Sequence, residues 1–314
     1  ASRKLNPKQL LNLAGDRSMI QSTVDRLGDM CPPQNVLVVT NRALVDGIAA
    51  QLPDVPAASI IGEPAKRDTA PCVGLAAAWI AAMDPEAVMV VMPADHVITP
   101  DDVFQSAIAH AVSLVQADDS RLVTFGIKPD YPAEVFGYIE RGESIDGSAL
   151  PTFSVERFRE KPDAATARQF VDAGTFYWNA GIFVWKAKTI LESLRQFEPD
   201  MMKHIDAIAG SIGSDSFSQT LDTEFTAIRG TSIDYAVMER HENVILKKRI
   251  WSLADEVERN AHPLERIGWN SHQREEERRD AEQHHHCPSE QRIVTPRREL
   301  HQDGSDVTAQ HQGP

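Results

Sequence analysis

The sequence predicts an α/β fold in which a mostly parallel sheet carries helices on both faces. Short apolar runs rich in Val and Met alternate with segments of helical length through the first half of the chain. The most apolar run is Ala87–Met92. A run this short and this β-branched is typical of a strand buried on both faces, as in parallel sheets. We expect Pro93 to end it, because proline has no N–H for the ladder.

The elements follow in order. Ser18 is a candidate N-cap for the first helix, and Pro71 lies early in a helix of small residues, where proline is tolerated. The predicted strands of this half are 35–41, 59–63, 87–92 and 122–126, and the predicted helices are 19–27, 43–52, 69–83 and 103–115.

After Gly126 the pattern predicts antiparallel additions to the sheet. The strands expected there are 136–140, 153–158, 177–185 and 244–246, and the helices are 164–173, 187–197, 201–209 and a short one at 232–240. We divide the chain into a domain at 1–250 and a divergent tail at 251–314. The tail is polar and poor in aromatic residues, so we expect it to be disordered. Its His284–His286 run is compatible with a transition metal, but an accident of a polar tail is the favoured interpretation.

Composition excludes several classes. The 314 residues are 42% hydrophobic and 25% charged, which is ordinary for a globular protein. A formal net charge of -14 argues against nucleic acid as a partner. Cys31, Cys72 and Cys287 show neither metal-ligand spacing nor a disulfide framework, so we expect a reducing cytoplasm. No apolar run reaches the length of a membrane span, and we expect no membrane partner.

Asp95 is the first candidate functional residue. It comes just past the carboxyl end of the predicted central strand, where open α/β sheets bind ligands. A carboxylate there could hold a hard divalent cation on a phosphate. The alternative, which the stretch alone leaves equally open, is that Asp95 caps the next turn and His96 is a surface side chain.

Other polar groups follow other strands or turns. The loop from Glu63 to Pro71 offers N–H groups for a base or phosphate. Lys8 could meet a phosphate, Glu160-Lys161 could bracket a sugar, and the small pair after Asn179 lets a ligand approach the backbone. Asp234 is a candidate second acid or simply a residue at a helix start. The other groups also have ordinary alternatives: a βα loop for 63–71, a solvated side chain for Lys8 and a surface ion pair for Glu160-Lys161.

Seven motifs occur in an order that resembles mannose-1-phosphate guanylyltransferases, a group of sugar-phosphate nucleotidyltransferases. They are Lys8-Gln9 with Gly15–Ser18, Glu63-Pro64 with Arg67–Pro71, Pro93–His96, Phe136–Ile139, Glu160–Pro162, Trp178–Phe183 and Ser232–Tyr235. The resemblance covers roughly residues 1 to 250. It implies a Rossmann-like fold of the nucleotide-diphospho-sugar transferase type.

The resemblance implies that GTP and mannose 1-phosphate are the substrates and that GDP-mannose and pyrophosphate are the products. Asp95 would hold Mg²⁺, and Lys8, Asp95 and Lys161 would be the catalytic residues. The implied nucleotide contacts are Glu63, Arg67, Asp68, Thr69, Pro93 and Asp95. The implied sugar-phosphate contacts are Gly137, Tyr138, Glu160, Lys161, Asn179 and Asp234.

The sequence also departs from the family. It starts at about the residues that follow the family's first strand and Gly-rich phosphate loop, and Asp68 stands where the family usually has Asn. Trp251-Ser252 is not followed by the family's Asp-Val-Gly, and the family's C-terminal extension is absent; a shifted reading frame or truncation is our hypothesis. Since one lost preorganised group at such a site commonly costs on the order of 10²–10³ in rate, we expect doubtful activity. We also expect a gap in the sheet beside the central strand and a poorly stable fold.

Two other interpretations stay open. One is a non-catalytic or decayed relative that at most binds a nucleotide sugar. The other is a nucleotidyltransferase for another base or another hexose 1-phosphate. The sequence leaves the oligomeric state open, a homodimer included.

Overall fold

The computed structural model describes residues 7–12, 15–145, 150–249, 252–253 and 292–297. Its central element is a nine-stranded sheet flanked by helices, so the predicted α/β class is confirmed. The strands are β1 Leu37–Asn41, β2 Ile60–Glu63, β3 Val88–Pro93, β4 Ile98–Thr99, β5 Leu122–Ile127, β6 Tyr138–Ser144, β7 Thr152–Arg159, β8 Phe176–Lys186, β9 Val244–Lys248, β10 Ser252–Leu253 and β11 Arg292–Arg297. The α-helices are α1 Met19–Asp25, α2 Val45–Gln51, α3 Thr69–Met83, α4 Asp101–Ala117, α5 Ala164–Ala173, α6 Ala187–Phe197, α7 Pro199–Ala209 and α8 Phe217–Ala227.

The strand order in the large sheet is β2-β1-β11-β3-β8-β5-β9-β7-β6. The strands β2, β1, β3, β5, β9 and β6 run in one direction, and β11, β8 and β7 run in the other. The strands of the first half therefore share one direction, as predicted. Most neighbouring pairs are nevertheless antiparallel, because β11, β8 and β7 each lie between two strands that run in the opposite direction. A second, small sheet joins β10 to β4.

Strand β3 is buried on both of its faces. Val88, Val90 and Met92 pack into one apolar cluster, which includes Phe104 of α4. Met89 and Val91 pack into the cluster on the other face, which contains α3 and parts of α6 and α7. The strand ends at Pro93, as expected. This burial fixes where the residues after Pro93 emerge.

Local signals were reliable where they were specific. Ser18 caps α1 with a complete capping box, in which its side chain accepts from the Gln21 N–H and its own N–H donates to the Gln21 side chain. Helix α3 has the predicted bounds, and its small residues let it lie close to the sheet, with Ala76 and Ala77 fully buried. Gly174 ends α5 in the left-handed conformation that glycine adopts without strain.

Three expectations need correction. The short helix expected at 232–240 is a single π-helical turn, Asp234–Met238, and α8 was not predicted at all. The tail was expected to be without regular structure, yet Ser252–Leu253 and Arg292–Arg297 are strands. The β-branched run Ile293-Val294-Thr295 gives β11 its strand propensity.

Strand β11 lies between β1 and β3, where a gap was expected, and pairs antiparallel with both. The sheet is therefore continuous beside the central strand. The rest of the tail, with His284–His286 and Cys287, lies outside the described residues. Among the residues that are described, no helix is long and apolar enough to cross a membrane. Cys31 and Cys72 are buried, and no disulfide joins the two.

A buried lysine lies on β9. Lys247 is 1% exposed, and its Nζ contacts Nδ1 of His110 on α4. Burial lowers the pKa of Lys247 from 10.5 to about 8. The ionised side chain therefore destabilises the folded state at every pH below that value.

We expect Lys247→Met to raise the free energy of unfolding at neutral pH by about 1–3 kcal/mol, because an apolar side chain of similar length removes the desolvated charge. The gain should shrink as pH rises from 8 toward 10.5, where folded Lys247 has already lost its proton. Urea unfolding at several pH values measures both effects. Lys248→Met, at the exposed neighbouring position, is the control, and a less stable Lys247→Met protein would contradict the prediction.

Candidate active site

A cavity of about 490 Å³ opens at the edge of the sheet where β3, β5 and β9 end and β8 begins. It is the edge at which α/β sheets bind ligands. Most of the residues proposed from sequence line this cavity: Lys8, Asp68, Thr69, Pro93, Asp95, Gly137, Glu160, Lys161, Asn179 and Asp234. Glu63, Arg67 and Tyr138 do not.

Asp95 and Lys8 form an ion pair in the cavity. The distance from Lys8 Nζ to Asp95 Oδ2 is 2.7 Å, and the two side chains are 53% and 20% exposed, respectively. Lys8 lies on a short 3₁₀ turn, Lys8–Leu10, and Asp95 follows β3 directly. The ammonium offsets the charge of the carboxylate and leaves both groups accessible to a charged ligand.

Arg26, which the sequence did not single out, stabilises the turn that carries Asp95. Arg26 is 3% exposed and donates from Nη2 to the carbonyl oxygen of His96 at 3.2 Å. Its guanidinium lies 5.7 Å from the centre of the Phe104 ring. Burial lowers the pKa of Arg26 from 12.5 to about 10, with the nearby Asp101 carboxylate opposing the shift. The group stays charged near neutral pH and fixes the backbone beside Asp95.

The loop before α3 forms one end of the cavity. Asp68 precedes the helix with φ 67° and ψ -169°, a conformation that favours glycine and strains other residues. Its side chain makes no capping hydrogen bond and instead lines the cavity. The loop thus presents a carboxylate beside the first N–H groups of α3.

A second segment, 226–233, holds this loop in place. The Thr69 hydroxyl accepts from the Ile233 N–H at 2.8 Å, and the Ala70 N–H donates to the Thr231 carbonyl at 3.0 Å. A Cβ at Gly230 would lie 2.7 Å from the Arg67 carbonyl oxygen, so only glycine fits there. The chain then continues into the turn that carries Asp234, so the loop and Asp234 are tied together.

Two predicted nucleotide contacts lie outside the cavity. Arg67 donates to the carbonyls of Thr226 and Lys66, so its guanidinium packs on the end of α8. Glu63 lies beneath the loop, with Oε1 buried and without a hydrogen-bond partner in the described part of the chain. Burial raises the pKa of Glu63 from 4.5 to about 8, with a hydrogen bond from the Cys72 thiol opposing the shift.

Glu160, Lys161 and Gly137 form the other end. The Glu160 side chain is 10% exposed and lies 3.5 Å from Lys161 Nζ. A Cβ at Gly137 would overlap Glu160 Oε2, so a larger residue there would displace this carboxylate from its present position. Lys161 has φ 45°, which turns the chain sharply after β7. Asn179 donates from Nδ2 to Asp234 Oδ1 at 2.9 Å on the same wall.

Tyr138, a predicted sugar-phosphate contact, lies outside the cavity. Its side chain is fully buried, and its ring lies 5.4 Å from that of Phe170, on the face of the sheet that packs against α5. Successive side chains of a strand point to opposite faces. Gly137 lies on the cavity, and its neighbour Tyr138 therefore does not.

Sequence reasoning also missed cationic and aromatic lining groups. Lys128 and Arg249 line the cavity just past the ends of β5 and β9. Asp95 was chosen because it follows the end of a strand, and the same criterion identifies these two residues once the ends of β5 and β9 are known. Phe136 and Trp178 form an aromatic wall, with ring centres 5.0 Å apart. Tyr235 is 48% exposed at the cavity, and its pKa is raised by burial and by the carboxylates of Glu160 and Glu239.

The donor set allows one kind of metal binding. In the part of the chain that the structure describes, no group of three or more His, Cys, Asp or Glu side chains could hold a metal ion. Mg²⁺, however, is commonly held by one or two carboxylates together with water and substrate phosphates. Asp95 fits the role of a single protein carboxylate in such a complex.

The comparisons with known proteins agree with the fold. The family model described as nucleotidyl transferase matches residues 2–219. A mannose-1-phosphate guanylyltransferase of Escherichia coli K12 is 38% identical over 252 residues, which are 78% of this chain and 52% of the relative. One of Salmonella muenchen is 40% identical over 258 residues, 80% of this chain and 53% of the relative.

Two solved structures share the architecture. A structure described as mannose-1-phosphate geranyltransferase from Thermus thermophilus has a TM-score of 0.70 at 26% identity, covering 81% of this chain and 70% of that one. A structure described as mannose-6-phosphate isomerase from Helicobacter pylori has a TM-score of 0.67 at 26% identity, covering 80% of this chain and 96% of that one.

The fold and the matched model together point to one class of protein, the nucleotidyl transferases. The chain belongs to the nucleotidyl transferase family. It spans about half the length of the guanylyltransferases that it matches.

Glu63 gives a pH signature. A carboxyl whose folded-state pKa is raised contributes stability that is complete below its unfolded value of 4.5 and is lost as pH rises through about 8. We expect Glu63→Gln to remove this loss, so that the variant gains up to a few kcal/mol relative to the unmodified chain across that interval. Urea unfolding from pH 4.5 to 8 measures the difference, with the exposed Glu242→Gln as control. A constant difference across the interval would contradict the assignment.

Proposed function

We propose that the chain transfers GMP from GTP to mannose 1-phosphate, giving GDP-mannose and pyrophosphate. The observation that carries this proposal is the placement of the Asp95–Lys8 pair in a cavity whose two ends carry different polar groups. One end presents the loop Asp68–Thr69, and the other presents Glu160, Lys161 and Gly137. The choice of guanine and mannose rests on the printed names of the relatives.

The reaction places modest covalent demands on the protein. A phosphate oxygen of mannose 1-phosphate attacks the α-phosphorus of GTP, the bond to the bridging oxygen breaks, and pyrophosphate leaves with that electron pair. Positioning and charge stabilisation supply most of the rate enhancement in such transfers.

The chain's own residues divide these tasks. Lys8 can move its ammonium from Asp95 to a phosphate oxygen when the nucleotide enters, because it is half exposed. Lys161 places a second ammonium at the opposite end, where Glu160 can accept sugar hydroxyls. When bound with Asp95 as its protein ligand, Mg²⁺ would neutralise charge on the nucleotide phosphates.

The test is pyrophosphate release from GTP, mannose 1-phosphate and Mg²⁺ by this chain. Turnover that Asp95→Asn reduces on the order of 10²–10³ in kcat/KM, the usual cost of one preorganised charged group, would support the proposal. Asp54→Asn is the matched control, since Asp54 is an exposed carboxylate that does not line the cavity. Its rate should equal that of the unmodified chain.

Other outcomes have defined meanings. A folded chain that binds GDP-mannose in a calorimetric titration without turnover would contradict the catalytic proposal and favour a binding-only relative. Faster turnover with UTP, or with glucose 1-phosphate, would contradict the proposed base or sugar. Equal loss in the Asp95 and Asp54 variants would remove Asp95 from the proposed role.

A further inference from the structure

Thr124 lies behind the cavity wall that carries Asn179. It is on β5 and is fully buried, so it cannot touch a ligand directly. None of the sequence motifs includes it. Its hydroxyl nevertheless makes two contacts with the neighbouring strand β8, to Asn179 Oδ1 at 3.0 Å and to the Ile182 carbonyl at 3.3 Å.

The two strands are out of register at this point. Thr124 pairs with Phe183 and Gly126 pairs with Asn179, so the single residue between them on β5 faces Ala180, Gly181 and Ile182 of β8. A bulge of this kind disrupts the ladder and redirects a side chain, and bulges are frequent next to active sites. Gly181 has φ 65°, which permits the bend. The single Thr124 hydroxyl proton is within reach of two acceptors here, and Asn179 Oδ1 is the nearer of them.

These bonds fix the orientation of the Asn179 amide. The Gly181 N–H lies 3.1 Å from Asn179 Oδ1 and can only donate, so this atom is the amide oxygen. The Thr124 hydroxyl supplies a second donor to the same oxygen. With its oxygen held by two donors, the amide directs Nδ2 toward Asp234, whose Oδ1 accepts at 2.9 Å.

Asp234 receives its position partly from this bond. Asn179 and Asp234 line the cavity side by side, one offering N–H and the other carboxylate oxygen. Such a pair suits a sugar hydroxyl, which both donates and accepts, better than a phosphate, which the carboxylate repels.

We propose that Thr124 is a positioning residue that orients the Asn179 amide and, through it, the Asp234 carboxylate toward the hexose of the bound hexose phosphate. The inference rests on the proposed function and extends it to a residue outside the cavity. It predicts a larger effect on mannose 1-phosphate than on GTP, because Thr124 and Asn179 reach Asp234 by side-chain hydrogen bonds, whereas the loop at 66–70 is joined to Asp234 through the backbone of segment 226–233.

The kinetic test compares Thr124→Val, which keeps the shape and removes the hydroxyl, with Thr124→Ser, which keeps the hydroxyl. We expect Thr124→Val to raise KM for mannose 1-phosphate on the order of tenfold, the usual effect of one lost hydrogen bond to a buried polar group. KM for GTP should change by less than about twofold, which is less than the loss of one hydrogen bond causes. Thr124→Ser should have the same KM for mannose 1-phosphate as the unmodified chain.

Thr40→Val is the matched control. Thr40 is a buried strand threonine, 1% exposed, whose hydroxyl has no partner in the described part of the chain. The same chemical change there should leave both KM values as they are. If Thr124→Val fails to fold, Thr124→Ala replaces it, since alanine also lacks the hydroxyl.

A second measurement does not depend on turnover. The side-chain amide protons of Asn179, assigned by their absence in Asn179→Asp, should lose hydrogen-exchange protection in Thr124→Val and keep it in Thr124→Ser. Unchanged protection, or equal changes in both KM values, would overturn the proposal. If the unmodified chain shows no turnover, the proposed function fails, and the amide protons still decide whether Thr124 positions Asn179.

Discussion

The burial of β3 on both faces is the constraint on which the site depends. Helix α4 packs on one face and α3 on the other, so the strand cannot shift without opening both apolar clusters. Its carboxyl end therefore delivers Asp95 to a fixed point at the edge of the sheet. Two residues outside the strand contact this region: Lys8 forms an ion pair with Asp95, and Arg26 donates to the backbone carbonyl of the next residue, His96. The electrostatic centre of the cavity thus follows from apolar packing.

The two ends of the cavity are built differently. At one end a strained residue, Asp68, precedes a helix and is held by main-chain bonds from a distant segment. At the other end, Glu160 depends on the missing side chain of Gly137, and Asn179 depends on a bulge. Each solution departs from regular secondary structure, as is usual where backbone groups must reach a ligand.

The sequence predicted what local chemistry determines and missed what depends on pairing. The Ser18 cap, the bounds of α3 and the place of Asp95 follow from short patterns. Tyr138 lies outside the cavity because side chains alternate along a strand, which motif matching does not consider. Arg67 lies outside it because it packs on the end of α8, which nothing in the sequence shows. Lys128 and Arg249 become neighbours only through the β5–β9 pairing. The strand β11 was missed because its few β-branched residues lie in a polar surrounding.

The segment 226–233 has a thermodynamic consequence. It bonds to the loop at one end of the cavity and continues directly into the turn that carries Asp234 at the other. A ligand that displaces the loop must move the backbone on which Asp234 is mounted. Linkage requires that any such displacement act in both directions, so that a ligand at Asp234 would resist movement of the loop by the same free energy. Segment 226–233 is therefore the structural connection between the two ends of the cavity.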